Sequence, residues 1–232
     1  MTKISKEQIK IDTQPLQINE TLSKAEQYIE RNQKILIIVA ASILIAIAGV
    51  FAYFNYYLKP LEAEAQEQIW GAQQYFEADS FKLALNGDGN QAGFLDIIDD
   101  YSSTKVGNLA YYYAGISYLY LGQYDEAIKH LKEFSSDDKL ISAVAIGATG
   151  DAYMEKGQTD EAISFYLKAA ESNENDFTTP VYLHKAGIAY EILGKNKEAL
   201  ELFEQIKADY KKSQEARDID KYITRAKLNL KK

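Results

Sequence analysis

Few side chains in this sequence have the type and spacing that covalent or metal chemistry needs. The 232-residue chain has no cysteine, which excludes disulfides, thiol nucleophiles and thiolate metal sites. Its two histidines, His130 and His184, stand 54 residues apart, not in the i, i+4 spacing that sets two imidazoles around a metal on one helix face. His130 is expected on the outer, solvated side of a helix. Adjacent carboxylates occur at Asp99-Asp100 and Asp137-Asp138, a helix end and a turn, where acids are common without function. Asp88, within Asn86–Asn90, lacks the spaced oxygen ligands of a calcium loop. No glycine-rich phosphate cradle and no nucleophile motif is present. The residues therefore read as those of a non-enzymatic chain without cofactor or metal, and its chemistry must lie in binding.

A recurring signature says which elements would do the binding. Gly115, Tyr118, Gly122 and Ala127 recur as Gly150, Tyr153, Gly157 and Ala162, then as Gly187, Tyr190, Gly194 and Ala199. The copies begin 35 and then 37 residues apart, with identical internal spacing. A fixed period in this range denotes a solenoid of helix–turn–helix units. Gly115, Gly150 and Gly187 fall mid-helix, where glycine costs roughly 1 kcal/mol against alanine unless a partner helix must approach closely. Leu131, Tyr166 and Phe203 are the large residues expected opposite them. Gly122, Gly157 and Gly194 are expected to end each first helix in the left-handed cap. Acidic residues after each cap, such as Asp125-Glu126 and Asp160-Glu161, suit the positive end of a helix dipole.

These spacings resemble the tetratricopeptide repeat over about Leu109 to Asp209, which implies an all-α helix–turn–helix solenoid. Two departures stand out: Tyr111, Ile146 and Leu183 replace the early tryptophan, and the proline after the second helix is missing. A degenerate unit is expected ahead of the three, with Gly71 in the mid-helix slot and Gly93 and Ile97 in the second helix. Its extra residues would be Ser80 to Gly89, around the turn-rich Asn86-Gly87-Asp88-Gly89. At the other end, Ile219, Tyr222, Ile223, Ala226 and Leu230 share one face of a capping helix expected over Ser213 to Leu230.

The run from Ile35 to Leu58 holds 24 residues without a charge, about 36 Å of helix against a hydrocarbon core of about 30 Å. Tyr53, Phe54, Tyr56 and Tyr57 gather at its end as an interfacial belt would. Ala46-Ile47-Ala48 has the form of a signal-peptide cleavage site, but 34 residues with five acids precede the run and the apolar stretch continues past it. An uncleaved transmembrane signal anchor is the better reading. Lys24, Arg31 and Lys34 precede the span and only Lys59 closely follows it, so the N-terminus is expected in the cytoplasm and the repeats outside. Ser23-Lys24-Ala25-Glu26 matches a capping box, so a helix is expected to start near Ser23. Before it, Met1 to Asn19 is polar and without periodicity.

The expected organisation is a cytoplasmic lead (1–34), the anchor (35–58), a degenerate first repeat with an inserted loop (59–106), three repeats (107–212) and a capping helix (213–232). The net charge is −8, with −9 after residue 58 and +1 before Ile35, which argues against a nucleic-acid partner. The first helices of such repeats line a concave face. Counting from the glycine slots, that face should comprise Leu109, Tyr112, Ile116, Leu119 and Tyr120, then Val144, Asp151, Met154 and Glu155, then Val181, His184, Ile188, Glu191 and Ile192. It would be apolar with acidic notches, suited to an apolar or mildly basic peptide or a partner helix. Chaperone-binding tetratricopeptide domains clamp a terminal carboxylate with lysine and asparagine on this face, and those residues are absent.

In layout the chain resembles the YfgM-like ancillary subunits of the bacterial Sec translocon, with a short cytoplasmic lead, one anchor and a small acidic repeat domain outside. That resemblance implies a single-pass inner-membrane protein with a periplasmic repeat domain. Its implied partners are translocon subunits, a periplasmic chaperone and newly translocated proteins. The other reading of the same layout is a scaffold for a different envelope machine, in division, outer-membrane assembly or secretion.

Overall fold

The elements of the chain follow from where helix caps and apolar faces fall. A computed structural model describes the backbone of residues 18–231 and the side chains of residue 24 and residues 26–231. It divides into two units, residues 1–56 and 57–232.

Helix α1 (Ile18–Ala52) belongs to the first unit, followed by a π-helical segment, Tyr53–Leu58. None of the described side chains from Glu26 to Tyr56 is buried. An apolar helix that finds no protein partner for any face is a candidate membrane span or signal anchor. The helix already runs from Ile18, so Ser23 lies inside it and does not begin it. The expected character of Met1–Gln17 lies outside the described residues.

The second unit is all-helical among the described residues. Helices α2 (Lys59–Glu77), α3 (Phe81–Asn86) and α4 (Phe94–Tyr101) come first. Three helix pairs then follow: α5 (Lys105–Tyr120) with α6 (Tyr124–Glu133), α7 (Lys139–Glu155) with α8 (Thr159–Ser172), and α9 (Thr179–Ile192) with α10 (Asn196–Asp209). A 3₁₀ turn (Glu215–Arg217) leads into α11 (Ile219–Asn229). Two starts are set by side-chain caps: Thr104 Oγ1 accepts from the Gly107 N–H at 2.9 Å, and Asp138 Oδ1 accepts from the Leu140 N–H at 2.8 Å. One member of the Asp137-Asp138 pair is thus a helix cap.

Within each pair the small-to-large contact is the one the signature implies. A Cβ placed on Gly115 would lie 2.6 Å from Leu131, on Gly150 2.8 Å from Tyr166, and on Gly187 2.4 Å from Phe203. Each glycine therefore lets one large side chain lie flat on the first helix, and Ala127, Ala162 and Ala199 are fully buried one turn away. Gly122, Gly157 and Gly194 take φ of +72°, +73° and +72°, and in each the N–H of the following residue reaches back to the signature tyrosine carbonyl at 2.9 Å.

The first helical repeat, α2 to α4, shows this geometry in a register different from the expected one. Ser80 N–H donates to Tyr75 O at 2.8 Å, and Asp79, at φ +55°, stands where the other units have glycine. Ser80 opens α3 at φ −87°, ψ 57°, matching Gln123, Gln158 and Lys195 before α6, α8 and α10. The signature here reads Ala72, Tyr75, Asp79 and Ala84, with the same spacings of three, four and five. Ala72 and Ala84 are fully buried. Gly71 was the expected slot, but a Cβ there would meet Gln91, not a second-helix core residue. The insertion also lies later than Ser80–Gly89. The second helix begins on schedule as α3, breaks at Gly87 (φ +69°), and resumes as α4 after a loop. Asp88 ties that loop together, with Oδ1 accepting from the Asn90 and Gln91 N–H groups at 2.8 Å and Oδ2 accepting from the Tyr75 hydroxyl at 2.8 Å. These bonds hold its carboxyl below the ordinary range.

Two further expectations change. His130 is not solvated: it is buried, its ring centroid 5.0 Å from that of Tyr118 and its Nδ1 2.9 Å from Glu126 O. At the C-terminus the helix begins at Ile219, because Ser213–Arg217 forms a turn in which Ser213 Oγ accepts from the Ala216 N–H. Ile219, Ile223 and Ala226 are buried against the last pair, but Leu230 lies past the helix end and is 50 % exposed.

Candidate peptide-binding groove

Two adjoining cavities, of about 440 and 490 Å3, open along the first helices of the repeats and share Leu119, Tyr120 and Asp151. Helix α5 contributes Tyr112, Ile116, Leu119 and Tyr120 to this trough, and α7 contributes Val144, Ala148, Asp151, Met154 and Glu155. The structure thus brings together eight of the residues that counting from the glycines placed on the concave face: Tyr112, Ile116, Leu119, Tyr120, Val144, Asp151, Met154 and Glu155.

The other six lie elsewhere. Leu109 faces a separate cavity with Lys105, Asn108, Phe134 and Ile141. Its place one turn before Tyr112 swings it toward the loop that follows α6. In the third unit the expected face is taken by α11. His184 packs edge-on against Tyr222, with centroids 4.4 Å apart, and 5.9 Å from Phe203. Glu191 forms an ion pair with Arg225, whose Nε donates to Oε1 at 2.9 Å. Ile188 packs against the C-terminal core. Val181 and Ile192 line neither cavity. The apolar face of α11 needed burial, and the end of the stack supplied it.

Residues the counting missed complete the trough. Phe76, Asp79 and Phe81 come from α2, α3 and the turn between them, Tyr124 and Tyr166 from second helices, and Tyr182 and Lys185 from α9. Phe81 stacks face to face on Tyr120 at 4.7 Å, leaving Tyr120 69 % exposed. Tyr182 reaches the trough because Gly147 yields to it: a Cβ there would stand 2.0 Å from the ring. Lys185 and Asp151, 34 residues apart, carried the one signal sequence offered, opposite charges about one period apart.

That pair changes the electrostatics of the site. Lys185 Nζ donates to Asp151 Oδ1 at 2.7 Å and Oδ2 at 2.8 Å, and the Tyr166 hydroxyl donates to Oδ1 at 2.8 Å. Burial, then the Asp151 charge, pushes the Tyr166 and Tyr182 phenols above the ordinary tyrosine range. The acidic notch expected at Asp151 is therefore neutralised. Glu155 accepts a long bond from the Tyr124 hydroxyl, at 3.4 Å, and is exposed. What remains is an aromatic and aliphatic trough with isolated carboxylates, a surface for apolar side chains and not for proton transfer.

Beneath α11, burial pulls His184 below the ordinary imidazole range, with Arg225 and Lys221 adding to the shift and Glu215 and Glu191 opposing it. Its Nε2 has no hydrogen-bond partner. The unfolded chain accepts the proton first, so stability falls as pH drops below about 6.5. Thermal melts should therefore decline between pH 7 and pH 5, and His184→Phe should reduce that decline while keeping the Tyr222 contact. An unchanged pH slope in the variant would remove His184 as the cause.

Two tetratricopeptide-repeat family models match the chain, one at residues 109–138 and 181–213 and the other at residues 146–176. Among solved structures, the nearly identical TPR-like repeats of a kinesin light chain from Podosopora anserina superpose with a TM-score of 0.55 at 17 % identity, over 73 % of this chain and 88 % of that one. MamA superposes with a TM-score of 0.41 at 21 % identity, over 60 % of this chain and 89 % of that one. No curated protein matches the chain by sequence. The second unit is an all-helical tetratricopeptide-like solenoid, a fold that serves as a protein-interaction scaffold.

Proposed function

We propose that the chain is a membrane-tethered, non-catalytic protein-binding module whose repeats lie on the periplasmic side of a bacterial inner membrane. Its partners, on this reading, are subunits of the Sec translocon and a periplasmic chaperone. The trough carries the proposal: an open apolar surface built from α5, α7 and α9, on a chain that also holds a 24-residue uncharged stretch. The tether would keep that surface near the membrane, and the lysine and arginine excess before Ile35 supports the cytoplasmic N-terminus.

Photocrosslinking from Tyr120 and Met154 in the membrane-embedded full-length protein, followed by mass spectrometry, tests the reading. Translocon and chaperone subunits should be captured, and Tyr112→Ala with Met154→Ala should lower capture about tenfold or more, as loss of central apolar anchors does. Capture of a single unrelated envelope complex would make the chain a scaffold for that machine. Crosslinks indifferent to the double variant would remove the trough as the binding surface.

A further inference from the structure

All four helical repeats close their first helix with the same turn, yet only the repeat of α2 and α3 has a side chain at its left-handed position. Gly122, Gly157 and Gly194 occupy it in the others, and Asp79 occupies it here at φ +55°. Glycine takes this conformation freely, whereas aspartate takes it less readily. Asp79 also faces something: it lines the cavity that contains Phe76, Phe81 and Tyr120. The other two charged residues of that cavity, Asp151 and Lys185, satisfy each other. Among the described residues Asp79 has no ion pair, so its carboxylate is the uncompensated charge there. The stacked rings of Phe81 and Tyr120 line the same cavity and offer an aromatic face on which a cation would gain further attraction.

We propose that Asp79 is a recognition residue that receives a lysine or arginine side chain of the apolar segment filling the trough, an inference that rests on the trough being the binding site. The unit gives up the easier glycine turn and gains an anchor that fixes which end of the segment lies toward α2. Asp151 cannot do this, because Lys185 already holds it, and the glycines of the later turns have no side chain to offer.

The test uses the full-length protein in nanodiscs and two labelled twelve-residue probe peptides. Both have the same leucine and phenylalanine content, one ending in two lysines and the other in two glutamines. Wild type should bind the lysine peptide roughly five- to tenfold more tightly, and that preference should shrink as salt rises. Asp79→Gly, which keeps the turn used by the other repeats, should bring the lysine peptide's affinity down to that of the glutamine peptide. Asp79→Asn, which removes only the charge, should do the same. A lysine preference that survives both substitutions overturns the role of Asp79 while leaving the trough intact, provided Tyr120→Ala weakens both peptides. Binding of neither peptide, or binding indifferent to Tyr120→Ala, overturns the trough reading and this inference with it.

Discussion

Phe203→Ala should cost about 3–5 kcal/mol of folding stability, the range for removing a fully buried aromatic ring. Phe203 is wholly buried and is the knob on which the C-terminal end is assembled. Its ring lies where a Cβ on Gly187 would sit 2.4 Å away, with Tyr222 of α11 at 5.4 Å and His184 at 5.9 Å. Gly187 cannot refill the space, so the cavity persists and adds to the lost transfer energy. Because a solenoid couples mainly through neighbours, the loss should be local. Hydrogen exchange should accelerate in α9, α10 and α11 while α2 to α5 keep their protection. The thermal midpoint of the C-terminal transition should fall by roughly 10 °C. Uniform loss of protection across all repeats would show that the stack folds as one cooperative block.

Asp151→Ala is the second large effect. It strands the Lys185 ammonium and the Tyr166 hydroxyl together, and leaving such groups unpaired costs more than the net value of their bonds. Both charged side chains are about one-third exposed, which screens the penalty, so about 1–3 kcal/mol is expected. A double-mutant cycle isolates the coupling: Lys185→Met should restore part of the loss in the Asp151→Ala background but destabilise the wild type. Additive effects would show that the two side chains do not interact. The same network sets an alkaline limit. The Tyr166 and Tyr182 phenols are held neutral by burial and by Asp151, so their contribution is complete below the ordinary tyrosine value of about 10 and is lost as pH rises beyond it. Tyrosinate absorbance from these two rings should therefore appear only together with loss of helical circular dichroism.

How far the sequence reveals this molecule depends on whether a residue acts through its immediate helix neighbours. Gly115 facing Leu131, Gly150 facing Tyr166 and Gly187 facing Phe203 are legible because helix–turn–helix geometry fixes which side chains meet. The first helical repeat is hidden because Gly71 lies one position before the working slot, whereas Ala72 and Asp79 perform the tasks glycine performs elsewhere. The site was half legible. Side chains of α5 and α7 follow from repeat register, but Tyr182 enters through the gap at Gly147, a contact between neighbouring units. The fate of His184 and Glu191 depends on α11 folding back over α9, which no local pattern specifies. His130 was misplaced for a similar reason: Tyr111 and Tyr118, one helix away, form its surroundings.

Ion pairs that bridge one unit to the next give the stack a modular grammar. Lys156 meets Asp125, Lys195 meets Asp160 and Lys185 meets Asp151, joining acids of one unit to the lysine of the next. An interface written this way can be copied. Duplicating residues 139–178 in frame would place the new Lys156 opposite the Asp160 already in position and extend the trough by one pair of helices, while the preceding Asp151 would face Ala148 and need a lysine there. Lengthening the binding surface by gene duplication would then require no redesign of its ends, since α2 and α11 would meet the partners they meet now.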